Sequence, residues 1–120
     1  MLKKEQLLAW LPVVLYAFVI FLLSATPGKY MPQLFPGADK LLHFIEYFPF
    51  GLLMIRAFVK GSNIAFGRDA LLMSIFVIIL YSLSDEIHQL FVPGRQFNLV
   101  DIFFDTVGAV AGSYSYRWLK

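Results

Sequence analysis

Apolar residues gather into four long runs along the chain, at about 7–24, 41–59, 70–90 and 99–119. Each run has roughly the 17 to 25 residues that a helix needs to cross the hydrocarbon core of a bilayer. The breaks carry turn chemistry: Pro27, Gly28, Pro32, Pro36 and Gly37 after the first run, Gly61, Ser62 and Asn63 after the second, Pro93 and Gly94 after the third. The pattern predicts an all-α fold, a single membrane domain over residues 1–120 made of four transmembrane helices. The first run follows Lys3 and Lys4 as a signal peptide would, but it is long, and Leu23-Ser24-Ala25 lacks a small residue at the first position of a cleavage site. It is therefore expected to remain as a span.

Composition supports this solvent assignment. With 59% hydrophobic and 15% charged residues, the chain departs from ordinary soluble usage in the membrane direction. No cysteine is present, which excludes disulfides and thiolate metal sites. The net charge of +2 comes from scattered basic residues, so no nucleic-acid partner is expected. The distribution of those basic residues between loops is informative. With four spans, Lys3, Lys4, Arg56, Lys60, Arg68, Arg117 and Lys120 fall on one side, and Lys29, Lys40 and Arg95 on the other. Cytoplasmic loops hold the Lys and Arg excess, so both termini are expected in the cytoplasm of a multi-pass inner-membrane protein.

Against this apolar background the polar residues form stripes. At about 100° per residue, Asp39, His43, Glu46 and Tyr47 share one face of the second helix. Ser74, Tyr81, Asp85, His88 and Gln89 share a face of the third, with Glu86 to one side. Asp101, Asp105, Gly108, Gly112 and Tyr116 share a face of the fourth. An ionised residue near the bilayer centre costs at least ~2.5–3.5 kcal/mol, so the stripes are expected to face each other, with their polar ends at the outer surface. Arg95, Lys40 and the two histidines are the cations available to the acids. The expected functional cluster is Asp39, Lys40, His43, Glu46, Tyr47, Asp85, Glu86, His88, Gln89, Arg95, Asp101 and Asp105. Plainer readings exist for several members: Asp39 as a helix-start acid, Pro93-Gly94 as a tight turn, Arg95 as a snorkelling residue or structural counter-ion, and the histidines as interhelical hydrogen bonders.

The stretches "DKLLHFIEYFPFG" and "DEIHQLFVPGRQFNLVDIFFDTVGAVAG" resemble the VanZ-like family of small bacterial membrane proteins, named after a protein associated with teicoplanin resistance. The resemblance covers about Pro27 to Gly112. The family pattern falls on Asp39, Lys40, His43, Tyr47, Asp85, Glu86, Gln89, Pro93, Gly94, Arg95, Asp101, Gly108 and Gly112. The chain departs from it at Asp105, where Asn is commoner, and at 96–98, where small hydroxyl residues are common. The resemblance implies a role at the bacterial envelope but no particular reaction.

Three classes of function remain open on the residues. The leading one is binding of an envelope or glycopeptide-related ligand at the outer site, contributing to teicoplanin tolerance. Its partners would be membrane lipids and a lipid-linked envelope precursor or glycopeptide, and an oligomer is allowed. The second is a membrane-embedded enzyme acting on a lipid-linked substrate with the Asp/Glu/His cluster. "DEIHQ" is not the HExxH metalloprotease element, and no obvious nucleophile–base pair is present. The third is a proton-coupled transporter, although no inverted repeat is visible. No cofactor is expected. No metal ion is expected either, although a divalent metal is chemically allowed; if one were present, its ligands would be His43, His88, Asp85 and Asp101.

Overall fold

The computed structural model describes residues 3–30 and 34–119. The turn residue Pro32 and the loop charge Lys120 lie outside the described residues. Four helices account for most of the chain: α1 (Lys4–Ser24), α2 (Ala38–Gly61), α3 (Arg68–Gln89) and α4 (Leu99–Leu119), with a 3₁₀ turn at Gly28–Tyr30. No strand occurs among the described residues. The first three helices start two or three residues before their apolar runs, because a polar first turn keeps its helical hydrogen bonds at a wet end. Glu5, Asp39 and Asp69 sit in those first turns, where an acid opposes the positive end of the helix dipole.

The surface is apolar and the interior is partly polar. On α1, Leu7, Leu11, Val14, Leu15, Phe18 and Leu22 are exposed, as are Leu72, Phe76, Leu80 and Ile87 on α3. Ser74, Ser82, Asp85, Glu86, Gln89, Asp101, Asp105 and Ser113 are buried. This inverts the soluble arrangement and suits a hydrocarbon surround. Helices α1, α2 and α3 are each long and apolar enough to cross a membrane. Helix α4 has the same 21 residues as α1 but falls short in apolarity, because its inner face carries the aspartates, glycines and serines that the other helices cover.

The tightest pairing joins α2 to α4, which run parallel. A Cβ placed on Gly108 would land on the carbonyl of Phe44, one on Gly112 on that of Phe48, and one on Gly51 on that of Ala109. The small residues thus let the two backbones touch. Ser113 adds a hydrogen bond to the Gly51 carbonyl at 3.1 Å. Helix α1 leans on α2 through Trp10 edge-on to Phe58, centroids 5.1 Å apart, and through the Tyr16 hydroxyl donating to the Glu46 carbonyl. Pro12 lacks the N–H that would bond the Leu8 carbonyl, and Arg56 of α2 reaches that carbonyl at 3.5 Å. At the opposite end, the Gly28 N–H donates to the Pro93 carbonyl at 2.9 Å. A Cβ on Gly28 would strike Gly94, so the loop after α1 and the turn after α3 are in direct contact.

Candidate functional site

Helix periodicity and the parallel α2–α4 contact together create a ladder of polar pairs. Lys40 and His43 lie one turn apart on α2, and Asp101 and Asp105 one turn apart on α4. Lys40 Nζ meets Asp101 Oδ1 at 2.6 Å and Asp39 Oδ2 at 2.8 Å. One turn deeper, His43 Nδ1 meets Asp105 Oδ1 at 2.7 Å, while Nε2 is 3.6 Å from Asp101 Oδ2. The same stripe of α4 then continues as Gly108 and Gly112. Charges near the end of the helix and glycines further in are one continuous contact face.

Helix α3 closes the deeper rung. The Ser82 hydroxyl donates to Asp105 Oδ2 at 2.6 Å. Glu86 is fully buried. Its Oε2 accepts the Asn98 backbone N–H at 3.1 Å, and its Oε1 has no hydrogen-bond partner. Asn98 also starts α4: its side-chain oxygen takes the Val100 N–H at 2.9 Å, the usual work of an asparagine at a helix start.

Above the ladder lies a half-open cavity of about 310 Å³. Asp39, Lys40, His43, Glu46, Asp85, Gln89, Arg95 and Asp101 line it, together with Ser24, Gln96, Asn98 and backbone from Gly28 and Gly94. Four carboxylates therefore face two permanent cations and one histidine. Both cations are already engaged. Lys40 bridges two aspartates, and Arg95 donates to the Thr26 carbonyl at 2.9 Å, with those of Leu23 and Ser24 at 3.4 Å. Arg95 therefore caps the C-terminal carbonyls of α1, where a cation also complements the dipole, and does not pair with the acids. Among the described residues, no cation lies within salt-bridge distance of Glu46 or Asp85.

Three expected members stand elsewhere. Tyr47 is fully buried below the cavity, edge-on to Phe50 at 5.6 Å. His88 stacks on Phe21 of α1, ring centroids 4.6 Å apart, and does not line the cavity. Glu86 lies on the buried stripe and not beside it. On α3 the inward face is Ser74, Ile78, Ser82, Asp85, Glu86 and Gln89, one residue round from the face that Tyr81 and His88 mark. Asp85 belongs to both faces, and only the packing of α1 decides between them: the Tyr81 hydroxyl donates to the Ala17 carbonyl of α1. Of the metal ligands expected from sequence, His43 and Asp101 come within 3.6 Å and Asp85 lines the same cavity, while His88 stands apart on Phe21. A nitrogen of His43 and oxygens of Glu86 and Asp105 converge, all within 4.8 Å of one another. Ser82 and Asn98 were not legible as site residues. The signal for Ser82 was its position one turn before Glu86; Asn98 reaches Glu86 through its backbone, which no residue pattern reveals.

Comparison with curated proteins and with solved structures gives no match. A family model described as VanZ/LLP1 matches residues 5–120, nearly the whole chain, including every residue of the ladder and the cavity; the chain belongs to the VanZ/LLP1 family.

Proposed function

We propose that this chain is a multi-pass protein of the bacterial cytoplasmic membrane that binds the polar head of an envelope amphiphile in an outward-facing cavity. All four helices span, and both termini are cytoplasmic. The observation that supports binding most directly is the 310 Å³ polar cavity at the ends of apolar helices, a shape that seats a head group while the tail stays in lipid. Glu46 and Asp85, with no cation beside them, favour a head rich in hydrogen-bond donors, such as the hydroxyls and amines of a lipid-linked envelope precursor or a glycopeptide. Sequestration or shielding of such a molecule is how the protein would contribute to teicoplanin tolerance. In cells where the wild type raises teicoplanin tolerance, Asp85→Asn and Asp101→Asn should abolish the effect while the protein still inserts. Glu5→Gln and Asp69→Asn, both exposed and remote from the cavity, should be silent. Full tolerance in Asp85→Asn cells would end the reading.

A catalytic reading draws on one observation, the Ser82–Asp105–His43 chain. A carboxylate accepting from Nδ1–H fixes the imidazole so that Nε2 can act as a base on a lipid-linked substrate.

The orientation has its own test. Cysteines introduced one at a time at Gln96 and Ser62, both exposed in loops, should differ: the first reacts with an impermeant thiol reagent added to spheroplasts, the second only after lysis. Gln33, in the other outer loop between α1 and α2, lies outside the described residues and should behave as Gln96 does. Labelling at Ser62 alone would place the cavity on the cytoplasmic side.

A further inference from the structure

Below the cavity floor, three chemically matched groups converge from three helices: a ring nitrogen of His43 on α2, a carboxylate oxygen of Glu86 on α3 and one of Asp105 on α4, mutually within 4.8 Å. Two features make this more than a cluster of acids. The first is charge. Glu86 and Asp105 are 0% and 1% exposed, and neither Lys40 nor Arg95 reaches them, because Lys40 is held by Asp39 and Asp101 and Arg95 by the carbonyls of Leu23, Ser24 and Thr26. Two buried carboxylates that share one histidine and no permanent cation are costly in any low-dielectric interior. The second is an orphan. Oε1 of Glu86 is buried with no hydrogen-bond partner, although its own Oε2 is satisfied by Asn98. Buried acceptors are rarely left so.

We propose that His43, Glu86 and Asp105 form a binding site for a divalent first-row metal ion, with a fourth position open towards the cavity that His43 also lines. One nitrogen and two oxygen donors suit zinc or manganese and disfavour soft ions that need sulfur. The ion supplies the missing positive charge and takes the vacant Glu86 oxygen. On binding, it displaces any proton from the ligating His43 nitrogen and from the carboxylates. The Ser82 hydroxyl, on Asp105 Oδ2 at 2.6 Å, and the Asn98 N–H, on Glu86 Oε2, remain as outer partners that hold the two carboxylates in orientation. The site stands apart from the reading of the cavity as an envelope-ligand site. Either can fail without the other.

The test uses the full, untagged chain in detergent, stripped with a chelator, desalted, and then equilibrated with zinc or manganese at a series of free concentrations. Bound metal is counted by mass spectrometry of the ions, and Tm is followed in the same samples. One ion per chain is expected, with Tm climbing for each decade of free metal, as it does when only the folded state binds. Glu86→Gln and Asp105→Asn should each weaken binding at least tenfold, and Asp69→Asn, exposed and remote from the trio, should bind as the wild type does. Retention of no metal, or a Tm indifferent to both ions, overturns the site. So does metal held as tightly by Glu86→Gln as by the wild type, since the ion then sits elsewhere. Should Glu86→Gln fail to fold, the stoichiometry and Tm response of the wild type decide alone. If the Glu86→Gln variant is more stable than the metal-stripped wild type and neither responds to metal, protons and not an ion neutralise the trio, and the site falls.

Discussion

Gly112→Leu should leave no folded, monodisperse protein in detergent. At this position a Cβ would coincide with the Phe48 carbonyl and lie 3.2 Å from the Leu52 backbone nitrogen. The obstructing atoms belong to the α2 backbone, so no side-chain rotation relieves the clash. The helices would have to separate along the face that also carries the Lys40–Asp101 and His43–Asp105 rungs. Overpacking an ordinary core costs about 1–3 kcal/mol when side chains can shift; against backbone the cost is larger. Gly67→Ala is the matching control, since nothing lies within 4 Å of its added Cβ and its φ of 167° is ordinary extended backbone. Thermal unfolding of the two variants beside the wild type is the measurement. A Gly112→Leu protein with wild-type Tm would mean that α2 and α4 do not touch.

The second large effect concerns Lys40. Lys40→Met should destabilise the protein by roughly 1.5–3 kcal/mol, the scale of hydrogen bonds to charged groups, because Asp101 loses its only full cation while its side chain remains 9% exposed. Adding Asp101→Asn should return most of that loss, since the stranded charge disappears with it. In a double-mutant cycle by chemical denaturation in detergent, the two substitutions should therefore be strongly non-additive. Additive losses would show that Lys40 acts on something other than Asp101. Asp39, more than half exposed at its side chain, contributes less, as surface pairs do.

The helices were legible because hydrocarbon imposes its own length, and the four apolar runs place all four within three residues at either end. The packed face of α4 was also written in the chain, in Asp101, Asp105, Gly108 and Gly112 on one stripe. The burial of Asp101 and Asp105 followed from the cost of charge in lipid. The facing of α3 did not follow. Adjacent stripes on a helix differ by one residue in register, Asp85 fits both, and the choice between Glu86 and His88 rests on how α1 packs against Phe21 and Tyr81. The hydrogen bonds of Arg95 were out of reach for a related reason: they go to backbone carbonyls, and every helix end offers those whatever its side chains. The polar contact between Asn98 and Glu86 is likewise invisible to residue identity.

The sequence separation of the ladder partners sets conditions on how the protein is made. Asp105 finds Ser82 only 23 positions earlier on α3, but His43 is 62 positions away on α2. Helix α4 emerges last from the ribosome, and its aspartates gain their partners on α2 and α3 only once those helices stand beside it. The ladder and the Asp101 side of the cavity therefore exist only once α4 lies against α2 and α3. A nascent chain halted before α4 would carry His43 without either of its aspartates and Lys40 with Asp39 alone, the kind of exposed intramembrane polarity that quality-control proteases and chaperones recognise.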